Sequence, residues 1–113
     1  MNRELNMDQQ QLAGAWQEQM GNILQPGDQA TVLADEADPN ALRIHIDSSG
    51  RQMYSFDFKC AYVDSREVRV ELVDVERSGL HVDERTGPIQ ELASDYTRQI
   101  HECAQTLQQL THP

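Results

Sequence analysis

The side chains best suited to metal chemistry are two cysteines and one histidine. Cys60 lies in a predicted strand, and His101 and Cys103 lie two residues apart in a predicted helix. Thiolate sulfur and imidazole nitrogen are the usual ligands of Zn²⁺. Residues two apart on a helix point in nearly opposite directions, so a site would require the helix to cross the strand. A metal-assisted enzyme using Cys60, His101 and Cys103 is therefore an alternative, while we expect no metal and no cofactor.

Other catalytic patterns are missing from the sequence. Its six glycines never form a glycine-rich phosphate-binding loop after a strand. No Gly-x-Ser-x-Gly motif occurs, so the nucleophile of that hydrolase pattern has no candidate. The acidic residues cluster in and beside predicted loops, where a solvated surface is expected rather than a sheltered general acid. We therefore predict that the chain is not an enzyme.

The charge of the chain excludes simple binding to nucleic acid and to anionic membranes. Nineteen Asp and Glu residues against nine Lys and Arg residues give a formal charge of −10, which repels phosphate groups. The same charge allows an acidic inhibitor that mimics nucleic acid as a second alternative. Arginines interspersed among the acids weaken that alternative, because they dilute the negative potential.

Length, ends and cysteines indicate one small cytoplasmic domain. The 113 residues suffice for a single domain spanning 1–113. No apolar run approaches the roughly 18 residues that a membrane-spanning helix needs, and polar residues interrupt the N-terminus where a signal peptide would be apolar. Two cysteines are too few for a disulfide framework. We expect Cys60 and Cys103 to be buried, reduced thiols.

Hydrophobic periodicity predicts a helix at each end of the chain. Leu12, Trp16, Met20 and Ile23 form one apolar face of a helix over residues 4–24, with Trp16 as a core anchor. Pro88 is at the favoured first position of a second helix over residues 88–111. The apolar residues of this helix alternate at spacings of four and three: Ile89, Ala93, Tyr96, Ile100, Cys103, Leu107 and Leu110.

Between the helices, alternating residues predict four or five strands, over residues 30–34, 41–47, 52–63, 66–76 and 80–83. The apolar phase slips by one residue after Leu72, which predicts either a β-bulge near Leu72 and Val73 or a stretch in which both faces of the strand are covered. Short turns at residues 48–51, 64–65 and 78–79 make the sheet an antiparallel meander. We predict a two-layer α+β fold in the order α-β-β-β-β-(β)-α, with both helices on one face.

The strand phase assigns residues to the two faces of the sheet. Predicted core residues are Trp16, Leu42, Ile44, Ile46, Phe56, Phe58, Val68, Val70, Leu92 and Ile100. The opposite face is expected to carry Arg43, His45, Asp57, Lys59, Glu67, Arg69 and Glu71. These charges can pair across strands, so this face is either solvated or a surface for a partner.

The C-terminal helix supplies the predicted protein interface. A helix over 88–111 would be about 36 Å long at 1.5 Å per residue, longer than the sheet beneath it is wide. Its regular spacing resembles a helix that meets a partner. We therefore predict a non-catalytic, acidic protein-binding or regulatory module that forms a homodimer and can bind another protein. The candidate interface is Tyr96, Ile100, Cys103, Leu107 and Leu110.

The chain is similar to secretion chaperones in its size, its acidity and its terminal helices. Those chaperones are small, acidic, cytoplasmic α+β dimers, so the likeness implies a chaperone or adaptor role. They have a helix that interrupts the sheet, and nothing between residues 25 and 86 of this sequence predicts one.

Overall fold

The computed structural model describes residues 8–48, 54–83 and 86–111. The predicted helical residues 4–7 and most of the predicted turn at 48–51 lie outside this part. The elements in chain order are α1 (Gln9–Ile23), β1 (Gln29–Ala34), β2 (Ala41–Asp47), β3 (Tyr54–Tyr62), β4 (Val68–Arg77), β5 (Leu80–His81), α2 (Gly87–Thr106) and α3 (Gln108–Thr111).

The five strands form one antiparallel sheet in the order β1-β2-β3-β4-β5. This confirms the predicted α+β meander. The helix α1 packs on β1, and α2 packs on β4 and against α1. Buried residues of both helices join the inward side chains of the strands in one hydrophobic cluster, so both helices cover the same face of the sheet.

A β-bulge in β4 explains the slip in the apolar phase. Phe58 lies opposite Leu72 and Asp57 lies opposite Asp74, which leaves Val73 as the additional residue. Because the bulge restores the inward phase one residue late, Val75 is fully buried while Val73 is about half exposed. The predicted bulge is confirmed.

Ser78 and Gly79 join β4 to β5 in a tight hairpin turn. Both residues have positive φ, 52° and 83°, the combination that a type I′ turn requires and that its glycine adopts without steric cost. The hairpin is short, because β5 pairs only Leu80 with Arg77 and His81 with Glu76. One further bond, from the Val82 N–H to the Val75 carbonyl, extends the pairing.

The aromatic side chains tie α1 and α2 to the sheet. The Trp16 indole N–H donates to the Tyr62 hydroxyl over 3.1 Å, and their rings meet edge to face at 6.3 Å. Tyr96 of α2 packs its ring against Phe56, with 5.2 Å between the centroids. Trp16 is thus the core anchor that the sequence predicted.

The C-terminal helix is shorter than predicted. It ends at Thr106, and Leu107 interrupts it before the single turn of α3. Leu107 packs against the core cluster, and Thr111 at the end of α3 is buried. The short helix α3 therefore packs against the rest of the described chain. No helix in the described part of the chain is both long and apolar enough to cross a membrane.

Seven of the ten predicted core residues are buried. The exceptions are Val68, Val70 and Leu92, which pack against the core but are only partly buried. Val68 and Val70 lie in the half of β4 that β5 does not reach. Their exposure follows from this position at the sheet edge, which residue alternation does not reveal.

Candidate functional site

The outer face of the sheet carries a histidine held between two carboxylates. His45 lies opposite Asp57 in the register of β2 and β3. Its Nδ1 is 2.7 Å from an Asp57 oxygen, and its Nε2 is 3.0 Å from an Asp47 oxygen. A neutral imidazole has only one N–H, so donation by both nitrogens requires the imidazolium. His45 faces outward as predicted, but it is bound on both sides rather than merely solvated.

The protonation of His45 follows from opposing effects. Burial lowers the pKa of the imidazole, because a charged ring loses hydration. Hydrogen bonds and charges from Asp57 and Asp47 raise the pKa by more, so the net direction is upward. The arrangement therefore favours the positively charged ring on an otherwise acidic surface.

Three carboxylates of the same face lie close together beside the bulge. Oxygens of Asp57, Asp74 and Glu76 are all within 4.8 Å of one another. Carboxylate oxygens of this kind could hold Ca²⁺ or Mg²⁺. Two imidazoles already contact them, since the His81 Nδ1 is 2.6 Å from an Asp74 oxygen and the His45 ring, whose pKa is raised, contacts Asp57. The cluster therefore has a source of compensating charge within the chain.

The structure places the two candidate cysteine ligands in one core but leaves the candidate histidine ligand outside it. Cys103 lies near enough to Cys60 for its charge to contribute, after burial, to the raised pKa of the Cys60 thiol. Cys60 and Cys103 are buried, unbonded thiols in the core, whereas His101 is exposed on α2. Among the described residues, these three do not form a compact ligand group. Burial raises the pKa of the Cys103 thiol to about 12 and that of the Cys60 thiol further still, so neither is an available thiolate at neutral pH.

Most of the predicted helix interface is used inside the chain. Tyr96, Ile100 and Cys103 are buried against the sheet. The Tyr96 hydroxyl is 2.6 Å from the Ser48 hydroxyl and donates to an Asp28 oxygen over 3.1 Å. These three side chains are consequently not on the surface of the molecule. Leu107 is half-buried, and only Leu110, 48% exposed, is openly available to a partner.

The edge of β4 is the surface that sequence reasoning missed. The Val63 N–H donates to the Glu67 carbonyl across the β3–β4 turn. Because antiparallel pairing alternates, Arg69 and Glu71 then point their backbone groups toward β3. Val68, Val70 and Leu72 point theirs away from the sheet. These N–H and C=O groups have no partner among the described residues.

Neighbouring contacts limit the open edge at both ends. At one end, the Gln108 side-chain amide donates to the Arg66 carbonyl over 3.3 Å. At the other end, Val82 bonds to Val75 through the backbone. The open edge therefore extends over residues 68–72, and we call this segment the β4 edge.

Side chains of the β4 edge alternate between the two layers. Val68, Val70 and Leu72 point inward and are half-buried, whereas Arg69 and Glu71 are exposed on the outer face. Within the described part of the chain, neither Arg69 nor Glu71 forms an ion pair. A groove of about 340 Å³ lies at the start of the edge, between Val68 and the α2 residues His101 and Gln105.

The opposite edge of the sheet is covered by a side chain. The Gln17 amide of α1 donates to the Ala30 carbonyl over 2.7 Å. Its oxygen accepts the Val32 N–H at 2.8 Å. One side-chain amide thus occupies a donor and an acceptor where a neighbouring strand would otherwise pair.

Comparison with protein-family models, with curated proteins and with solved structures gives no match to this chain.

Proposed function

We propose that the chain is a non-catalytic protein-binding module that recruits an extended segment of its partner to the β4 edge. A row of unpaired backbone groups is a template for an additional strand. Strand addition takes affinity from main-chain hydrogen bonds and specificity from the side chains on either face. The observation that carries the proposal is that the outward backbone groups of Val68, Val70 and Leu72 have no partner within residues 8–48, 54–83 and 86–111.

The side chains around the β4 edge support this mode of binding. Val68, Val70 and Leu72 offer apolar contacts to the inward side chains of an added strand. Arg69 and Glu71 offer one charge of each sign on the other face. A partner strand that alternates apolar and charged residues would match the inward and the outward side chains at once. The β4 edge can therefore discriminate between partner sequences.

Several features favour binding over the two alternatives. The thiols of Cys60 and Cys103 are buried and protonated, so they are poorly placed to act as nucleophiles or ligands. A mimic of nucleic acid needs a surface dominated by carboxylates, whereas Arg43, Lys59 and Arg69 interrupt the acids of the outer face. A cytoplasmic location belongs to the same proposal, with the two unbonded thiols as its support.

Titration with a short extended peptide tests the proposal. The probe is a neutral, capped peptide of about seven alternating threonines and valines, which can pair through its backbone without matching any charge. We expect the amide resonances of Val68, Val70 and Leu72 to shift in ¹⁵N–¹H spectra when the peptide is in large excess.

Proline variants provide the matched control. Val70→Pro removes an edge-facing N–H without removing a bond to β3, and should abolish the shifts. Ala34→Pro makes the same change at the β1 edge, where proline is also tolerated, and should leave them intact. Unchanged β4 resonances in the wild-type chain, or equal shifts in the Val70→Pro variant, would contradict strand addition at this edge.

A further inference from the structure

We propose that the segment added to the β4 edge is the same segment of a second copy, paired antiparallel with Val70 facing Val70. This deepens the proposed function, on which it rests, by naming the partner. The two five-stranded sheets would then form one continuous sheet across a twofold axis perpendicular to it. Such an axis keeps α1 and α2 of both copies on the same face.

The length of the β4 edge selects this register. Gln108 occupies the backbone just before the edge and Val82 occupies it just after. Only pairing centred on Val70 uses Val68, Val70 and Leu72 of both copies. In that register Val68 of each copy faces Leu72 of the other, and the Val70–Val70 pair and both Val68–Leu72 pairs can each exchange two backbone hydrogen bonds.

Charge favours the same register. With Val70 at the centre, Arg69 of each copy lies opposite Glu71 of the other copy on the outer face. Opposite charges at such positions stabilise a strand pair, and like charges destabilise it. Centring the pair on Arg69 or on Glu71 would place that residue against itself. Centring the pair on Val68 would also set opposite charges against each other, Glu67 against Arg69, but it would need the Arg66 carbonyl that Gln108 already occupies. Charge and the Gln108 contact together therefore leave the register centred on Val70.

The inner face gains from the same pairing. Val68, Val70 and Leu72 are half-buried in the single chain, and they would meet their counterparts across the axis. Their apolar surface would leave water, which is the favourable part of association. Val75, whose carbonyl accepts the Val82 N–H, is completely buried and illustrates the environment that the three residues would acquire.

The covered β1 edge explains why association would stop at two copies. An isologous interface uses the same patch on both copies and closes. Continued growth would require a second open edge, and Gln17 occupies backbone groups of β1. A dimer is therefore the expected product, not a fibre.

Sedimentation of the full chain with charge-reversed variants tests the register. The wild type should approach twice 12.9 kDa at high concentration. Arg69→Glu places two glutamates opposite each other at both sites, and Glu71→Arg places two arginines there. Each variant alone should dimerise at least about tenfold more weakly, which corresponds to about 1.4 kcal/mol.

Mixing the two variants gives the decisive readout. In the mixed pair every glutamate meets an arginine, so equimolar Arg69→Glu and Glu71→Arg chains should associate about as well as the wild type. Circular dichroism confirms that each variant is folded. Arg69 lies opposite Ala61 within the chain, so Arg69→Glu removes no internal charge pair.

Three outcomes would overturn the inference. One is a wild-type mass of 12.9 kDa at millimolar concentration. In that case, peptide-induced shifts at Val70 would still support the proposed function, with a strand of another protein as the added segment. Another is a dimer that Arg69→Glu leaves unchanged and mixing does not affect. The third is a dimer that only Leu110→Glu disrupts, which would place the interface at the C-terminal helices.

Discussion

At the β1 edge of the sheet, the Gln17 side chain from α1 bonds to Ala30 and Val32. At the β4 edge, three residues direct their backbone groups away from the sheet, with no partner among the described residues. β1 is the last strand on one side of the sheet, whereas β4 forms the other edge only over residues 68–72, because β5 pairs with β4 only at Glu76 and Arg77. The difference arises from neighbours outside the strands, because one edge receives a side-chain amide and the other receives a β5 that is too short to cover it.

The difference between the edges indicates where binding can occur. An unprotected edge is a risk for uncontrolled association, and covering one of two edges limits that risk. The inner residues show the same contrast: Val75, which bonds to Val82 through its carbonyl, is fully buried, whereas Val70 is only half-buried. The β4 edge therefore leaves its inward apolar side chains, as well as its backbone groups, partly exposed to solvent.

Phe56→Ala should have the largest effect on stability and should separate folding from edge binding. Phe56 of β3 is fully buried, and its ring packs against Tyr96 of α2. Truncation of such a ring costs about 3–5 kcal/mol of stability. Urea unfolding measures the loss. A loss below about 1 kcal/mol would show that the inward phase of β3 is wrong.

Val75→Ala and Val70→Ala compare the covered and open halves of β4. The same atoms are removed, but Val75 leaves a cavity in a closed core whereas Val70 already contacts solvent. We expect a loss of about 2 kcal/mol for Val75→Ala and about 1 kcal/mol for Val70→Ala. Urea unfolding should be measured at a dilution where the chain is monomeric. Equal losses of unfolding free energy would mean that the two halves of β4 do not differ in burial.

Gln17→Ala should make the β1 edge resemble the β4 edge. Loss of both side-chain bonds should lower stability by about 1 kcal/mol, and the uncovered strand should permit association beyond a dimer. Light scattering against concentration detects the larger species. Gln17→Glu keeps the bond from the Val32 N–H but not that to the Ala30 carbonyl, and Gln10→Ala on the exposed helix surface is the control. Unaltered association by Gln17→Ala would refute edge protection.

His45→Gln should have the smallest effect, and this effect should depend on pH. The pKa of His45 is raised in the folded chain above its ordinary value of 6.5. A raised pKa stabilises the fold most below the ordinary value, and the contribution is lost as the pH rises through the folded value. Because the ring is 40% exposed, we expect less than about 1 kcal/mol at pH 5.5 to 6.

Unfolding at pH 6 and at pH 9 measures this dependence. The destabilisation by His45→Gln should shrink at the higher pH, and His81→Gln, whose ring is more exposed, serves as the comparison. Since His45 lies in β2, away from both edges, the substitution should leave association unchanged. A larger loss at pH 9 than at pH 6 would contradict the assigned imidazolium.

Local patterns were sufficient for the elements and for the faces of the strands. Alternation placed Ile44 and Phe58 inward and His45 outward, and the slip after Leu72 located the bulge. The same patterns overestimated the surface of α2, because the spacing of Tyr96, Ile100 and Cys103 is equally suited to a sheet and to a partner. Only the packing of α2 on β4 assigns these three residues to the core.

The sequence by itself determined the α+β meander, the inward and outward residues and the alternating outward charges of Glu67, Arg69 and Glu71, because each depends on residues close together in the chain. The tertiary structure alone decided which backbone groups are open. Covering Ala30 and Val32 requires Gln17 from another element, and the β4 edge begins where Gln108 reaches Arg66. Contacts between distant residues depend on how the elements pack, and no local periodicity encodes them.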